Sequence, residues 1–453
     1  MNELFEKKSI PSAYLTLAIP VVLSMVVQLV YNMVDTYFIS QTNNTALIAG
    51  VSVCTPLFTL MLAVGDFFAL GGSSVMSRLL GAGQLEKSKR ISTFSIYASL
   101  AFGLLVTLIM LLFQQPILGL LGADETTWTY ATAYYRWLVL GAPVIIFSLM
   151  PSNLLRTVGK PNAGMVITIL GAVINMVLDP VFIFGLGLGA AGAAIATVIG
   201  YICSAVAAIL YIALKCDELS FDIRNLFFKD DETGTGADIQ SVFAIGLPAS
   251  ITNLMQTLGI MLTNRALRTY GSDSIAMMGI VLKIVNVAML VIVGLAFGGQ
   301  PLTGYCYGSG NMSRLKKVLK FAYLLIAGTA AVLAALLMAF AVPLVSIFVE
   351  APELIAQGVQ MLRLQMPGMV FMGICLVTIC TFQSTGKGLP SFLLSICRQG
   401  VVFAIVLFVM KYALGYMGVI SAQFVTDAIT AVIAYVLFRL FLWPDLKEEK
   451  RRC

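Results

Sequence analysis

Four carboxylates lie where a carboxylate is expensive. Asp35, Asp66, Asp179 and Asp427 each sit inside a long apolar run. A charge at the centre of a membrane span costs about 2.5–3.5 kcal/mol on the insertion scale, so each is a functional candidate. The stretch "NMVLDPVFIFG" at 175–185 concentrates the problem. Asn175 and Asp179 stand one helical turn apart on a shared face. Pro180 lacks the N–H that would serve the carbonyl of Met176. An amide, a carboxylate and a freed carbonyl within one turn suit a proton or a small cation. In "QLVYNMVDTYF" the residues Gln28, Tyr31, Asn32 and Asp35 recur at i, i+3, i+4 and i+7, again one helical face.

Depth relates the two stretches. Counting from helix starts near 14 and 162 at 1.5 Å per residue, Asp35 and Asp179 both lie roughly 25–32 Å from one membrane face. Two carboxylates in one dry site cannot both ionise cheaply, so such a pair is expected to hold a proton. A second reading gives Asp179 backbone or hydroxyl partners and leaves Pro180 as a plain kink. Asp66 in "VGDFF" and Asp427 in "AQFVTDAIT" each fit either function or a helix–helix hydrogen bond. Arg398 and Lys283 fit equally as counter-ions for these acids or as side chains reaching towards the interface.

Absences narrow the chemistry. The chain has no histidine, which removes His-based metal sites, Ser-His-Asp triads and His proton relays together. Its eight cysteines form no CxxC pair and no metal-ligand spacing; Cys203, Cys375 and Cys380 lie in apolar runs as small hydrophobes. Neither a metal nor a cofactor is expected. HExxH and DDxxD are missing, and in "AVGD" Ala63 stands where a GxGD protease needs glycine, so an intramembrane enzyme is disfavoured.

Composition supplies the elements that must hold these residues. Of 453 residues, 59% are hydrophobic and only 11% charged, with mean hydropathy +0.94. Such a chain has lipid as its natural solvent. The net charge of +6 comes from residues scattered in short loops rather than clustered with aromatics, so nucleic acid is not an expected partner. Twelve spans are expected near 14–40, 46–76, 91–113, 130–155, 162–185, 190–214, 241–264, 276–304, 318–342, 358–383, 390–414 and 418–442. Lys7 and Lys8 precede the first without a cleavage site, so this helix is expected to be retained. Lysine and arginine collect on one side, as in "KSKR" and "RLKK". On the other side "SQTNNT" has none and "LGADETT" and "VEAPE" carry only acids; Arg265, Arg268 and Lys411 are the exceptions. The expected topology is multi-pass, with both termini cytoplasmic.

The polar linker 216–238 divides the spans six and six. It reads as a tether, with "LSFDIRNLFF" as a possible amphipathic surface helix. The halves repeat. Adding 227 carries Gly71-Gly72 onto Gly298-Gly299, Lys89 onto Lys316, Arg136 onto Arg363, and Gly159-Lys160 onto Gly386-Lys387. An offset of 228 carries Pro20 onto Pro248 and Gln28 onto Gln256. An even number of spans per copy makes the repeats parallel, so the expected fold is all-α: two six-helix lobes around a central cavity. Their bounds are 1–215 and 239–443, followed by a basic tail at 444–453. The 22 methionines and the aromatics either line a pliable pocket for flat hydrophobic molecules or pack between helices.

In order and spacing, "AIPVVLSMVVQLVYNMVDTYFIS", "GGSSVMSRLLGAG", "RWLVLGAP", "NLLRTVGKP", "NMVLDPVFIFG", "GAAIAT" and "GGQPLTGYCYG" resemble the multidrug and toxic-compound extrusion (MATE) family over nearly the whole chain. The tract "MSRLLGAGQLEKSKRISTFSIY" looks most like its bacterial MepA-like kind. The resemblance implies export of bulky, often cationic organic compounds from the cytoplasm in exchange for H⁺ or Na⁺. It implies an N-lobe cation site at Tyr31, Asp35, Asn153, Asn175, Asp179 and Thr197, and a first span that bends at Pro20. Asn153 and Thr197 enter through the resemblance alone. Pro20 and Pro180 are the expected hinges, and Gln28, Asn32, Gln256 and Gln300 are candidates for the substrate cavity. Span ten lacks an acid, unlike some members, so coupling is expected to rest on the N-lobe. A monomer in the bilayer is expected. The alternative within the superfamily is a flippase for lipid-linked saccharides, which the scarcity of in-membrane cations disfavours.

Overall fold

The computed structural model describes residues 3–227 and 235–452. Residues 228–234 of the expected linker, and the chain's last residue in the expected tail, lie outside the described residues. Among the described residues the regular structure is helical throughout. Ten segments are long and apolar enough to span a bilayer, and two bent helix pairs raise the number to twelve. These coincide with the twelve expected spans. Many outward side chains are large and apolar, such as Leu112 at 70% and Phe408 at 74% exposure, as lipid-facing helices require.

The two bent pairs occupy the fourth position of each half. Trp128–Leu140 meets Ala142–Thr157 at 50°, and Pro352–Gln365 meets Gly368–Ser384 at 43°. The breaks fall at Gly141 and just before Gly368, positions related by the repeat offset, with Pro143 and Pro367 beside them. Proline removes a helical donor, so each bend has a local cause.

The chain packs as two compact units, one of Leu23–Gly246 and one of Asn2–Val22 with Leu247–Cys453. Both divisions fall inside a helix, shortly after Pro20 in Ile10–Ser40 and just before Pro248 in Thr235–Leu267. Repeat-related glycines explain how the early turns of these helices are held. In the first unit a Cβ on Gly71 would lie 2.4 Å from the carbonyl oxygen of Val242. In the second, a Cβ on Gly298 would lie 2.3 Å from the Cα of Ala18. The Tyr14 hydroxyl also donates to the carbonyl of Leu295 at 3.0 Å.

Helix-to-helix approach is equally close beside the acidic stretch. A Cβ on Gly171 would meet Ser204 Oγ at 2.1 Å and the Gly200 carbonyl oxygen at 2.7 Å. Backbone cannot yield as a side-chain tip can, so Gly171→Val should lower thermal stability by about 1–3 kcal/mol, the usual penalty for overpacking. Gly328→Ala, in a helix with nothing within 4 Å of the added carbon, should be neutral or slightly stabilising. Melting of the purified variants in detergent checks both.

Each unit also ties the end of its last span with the lysine of its Gly-Lys turn. Lys160 Nζ donates to the carbonyl of Lys215 at 2.6 Å and to Glu218 Oε2 at 3.1 Å. Lys387 Nζ donates to the carbonyl of Phe441 and pairs with Asp445 Oδ2 at 2.7 Å. Glu218 and Asp445 are again related by the repeat offset. Burial pushes the Glu218 carboxyl up, but the hydrogen bond and charge of Lys160 outweigh it and the net shift is downward. A depressed carboxyl pKa contributes stability above its unfolded value, about 4.3, and loses it as pH falls through the folded one. Melting temperature should therefore drop between pH 6 and pH 3 by more in the native protein than in Glu218→Gln. For so exposed a pair the difference is at most about 1 kcal/mol.

The expected surface helix in the linker is reduced to the single turn Arg224–Phe227 among the described residues. The preceding backbone is held elsewhere: Thr93 Oγ1 donates to the Ser220 carbonyl and the Tyr97 hydroxyl to that of Phe221, both at 2.9 Å.

Candidate functional site

The acidic site lies wholly within the first unit. Pro161–Pro180 is α-helical, and the chain then widens into a π-helical turn, Val181–Gly185. Pro180 is the cause: it offers no N–H to the Met176 carbonyl, and beyond it the Leu186 N–H closes on the Val181 carbonyl, five residues back, at 2.9 Å. Pro180 thus ends one helical register and begins another within the same span, rather than stopping it.

Asp179 is fully buried, and neither of its carboxylate oxygens has a hydrogen-bond partner. Asn175, one turn earlier and 2% exposed, donates through Nδ2 to Thr197 Oγ1 at 3.3 Å, leaving its Oδ1 without a partner. The Tyr31 phenol lies near the same threonine, and the bond from Asn175 to Thr197 joins the fifth and sixth spans. Asp35 is half-buried, its Oδ1 is buried without a partner, and its charge acts on Asp179. The structural reading in which backbone or hydroxyl groups satisfy Asp179 therefore fails among the described residues.

Four buried oxygens without donors, on Asp35, Asn175 and Asp179, are the site's chemical signature. A buried polar group left unpaired costs about 1–3 kcal/mol, more if charged. The deficit is entirely of donors, so protons or a hard cation that accepts oxygen ligands would satisfy it. Among the described residues no three His, Cys, Asp or Glu side chains gather as a metal cluster.

Two phenols complete the site that spacing alone did not single out. Tyr134 lies near both Asp35 and Asp179, and Tyr201 lies near Tyr31 and Gln28. Tyr201 is one turn beyond Thr197, so the i, i+4 rule that picked out Asn175 and Asp179 reaches it as well. Tyr134 had no such signal, because Tyr130, Tyr134 and Tyr135 in one run leave the inward face ambiguous.

The remaining expected residues are placed as follows. Asn153 is engaged in its own helix: Nδ2 donates to the Leu149 carbonyl at 2.8 Å, and Oδ1 accepts from Arg156 at 2.5 Å. Pro20 precedes the site on the same continuous helix and packs in the second unit. Asn32 is exposed. Gln300 is buried in the second unit and donates to Gln383 Oε1 at 2.8 Å, whereas Gln256 lines a cavity there. Asp66 is half-buried and Lys283 exposed. Asp427 accepts from Arg398 Nε at 2.9 Å, which makes Arg398 its counter-ion.

Duplicated six-span halves, bent at equivalent positions and holding a buried acidic site, define a polytopic helical membrane protein with the architecture of a secondary transporter. A family model described as MatE matches residues 20–181 and 248–410, one stretch in each half, and the chain belongs to that family. Curated relatives include the multidrug export protein MepA of Staphylococcus haemolyticus, 31% identical over 96% of this chain and 95% of that one. MepA of Staphylococcus aureus is 29% identical over the same shares. Among solved structures, an outward-facing multidrug resistance MATE transporter of the MOP superfamily superposes with a TM-score of 0.90 at 25% identity, covering 98% of both chains. A MOP superfamily transporter from Pyrococcus furiosus, whose binding pocket is described as of reverse polarity, does so with a TM-score of 0.90 at 26% identity, covering 98% of both chains.

Proposed function

We propose that this chain is a secondary active exporter of bulky hydrophobic, often cationic organic compounds, driven by inward H⁺ or Na⁺ through Asp35 and Asp179. The observation that carries the coupling is the set of four partnerless acceptor oxygens on Asp35, Asn175 and Asp179. The multidrug export named for the MepA relatives supports the cargo. Tyr31, Thr197 and Asn175 position the two acids, and Asn153 belongs to the same set through the family resemblance. When the site faces outwards, uptake of a cation neutralises the acids and removes their deficit of donors. The helix carrying Asp35 then relaxes about Pro20, and substrate affinity falls. Two ligands that favour different conformations are coupled by that difference alone.

The proposal extends to the arrangement of the chain: six-span lobes at 1–215 and 239–443, a cytoplasmic linker at 216–238 and a basic tail from 444. It places the protein as a monomer in the cytoplasmic membrane with both termini inside, on the side where lysine and arginine collect. The test is efflux of a fluorescent organic cation from proteoliposomes, with a proton gradient and a sodium gradient imposed separately. Acceleration by either gradient is expected; equal efflux with and without both gradients overturns the reading.

A further inference from the structure

The second unit contains a cavity of about 140 Å³ whose lining residues all belong to that unit and none of which takes part in the acidic site. Its chemistry is the reverse of that site. Arg398 and Asp427 are the only charged residues in its wall, and both are more than nine-tenths buried. Arg398 spends only Nε on its partner, donating to Asp427 Oδ1 at 2.9 Å. Among the described residues no group accepts from the two terminal nitrogens of its guanidinium.

A second donor is idle in the same wall. Gln423 lies beside Asp427, and its buried Nε2 has no hydrogen bond of good geometry. At the acidic site the unmet groups are acceptors; here they are donors. A planar guanidinium edge presents two parallel N–H groups, the arrangement that a carboxylate fits in bidentate fashion. The rest of the wall includes Met366, Met369, Met372 and Phe403, soft and apolar surface that adapts to flat hydrocarbon. Asp427 stays on Nε, so the guanidinium is held in place without its outer edge being used.

We propose that this cavity is a binding site for the carboxylate of an amphipathic organic molecule, held by the outer edge of Arg398 and by Gln423 with its apolar body against the methionines. The site is separate from the acids of the first unit. It does not rest on the antiport reading, since it is read by binding without any gradient.

The test uses the full-length protein in nanodiscs of neutral phosphatidylcholine with tritiated 1-naphthylacetate as probe and 1-naphthylacetamide as the uncharged competitor of the same shape. The native protein should bind the carboxylate roughly tenfold more tightly than the amide, the advantage of a charge-assisted pair over a neutral one. Arg398→Lys keeps a cation for Asp427 but removes the fork, and should bring the two affinities to within about threefold. Arg398→Gln with Asp427→Asn removes both charges, avoids a lone buried ion, and should abolish the preference. A native protein that does not prefer the carboxylate overturns the proposal. So does a preference that survives in either variant.

Discussion

Asp179→Asn should abolish gradient-driven efflux while leaving the protein folded and able to bind its substrate. Asparagine keeps the shape of the side chain and loses the capacity to bind a proton or to neutralise a cation. Coupling free energies of this kind are about 1–3 kcal/mol, so efflux under a gradient should fall by ~5–150-fold, towards the leak rate. Substrate affinity without a gradient should change by no more than about threefold, less than 1 kcal/mol. Stability separates this from a structural role. Asp179 has no hydrogen bond to lose, and replacing a buried, partnerless carboxylate with a neutral amide should hold or raise the melting temperature. Asp35→Asn should repeat the loss of coupling. Proteoliposome efflux beside thermal melting makes the distinction; an unchanged response to both gradients in either variant refutes coupling at this pair.

Breaking the Arg398–Asp427 pair should have the largest effect on stability. The two side chains are 11% and 5% exposed and share one bond of 2.9 Å, so removing either leaves a buried charge without a counter-ion. Arg398→Met or Asp427→Leu alone should cost about 3–5 kcal/mol, whereas the double variant, with neither charge, should regain most of it. The contrast between single and double variants is the informative quantity, because neighbouring sites couple and distant ones add. If the double variant melts at the sum of the two single losses, the pair is not the unit that the geometry describes. The acids of the two units thus differ in kind: Asp427 has a cation beside it in the protein, whereas neither carboxylate oxygen of Asp179 has a hydrogen-bond partner among the described residues.

The spans, the duplication and the acidic faces were legible in the sequence for one physical reason. Apolar length and the 3.6-residue period are local properties of the chain, and a 20-residue run or an i, i+4 pair means the same wherever the helix is packed. Asn175 and Asp179 on one face, and Pro180 freeing a carbonyl beside them, followed from residues next to one another. Partners across helices did not. In lipid the outward faces are as apolar as the buried ones, so hydrophobic pattern alone does not say which helix meets which. Arg398 and Lys283 were therefore equal candidates as counter-ions until the fold put Arg398 on Asp427 and left Lys283 exposed. Thr197 bonded to Asn175, Tyr134 near both acids, and Gln300 bonded to Gln383 are likewise contacts between segments distant in the chain. The sequence by itself determined that the chain carries twelve apolar runs long enough to span a membrane, in two copies, with carboxylates inside them. Only the tertiary structure decided which of those carboxylates lack a partner, because that depends on what the neighbouring helices bring.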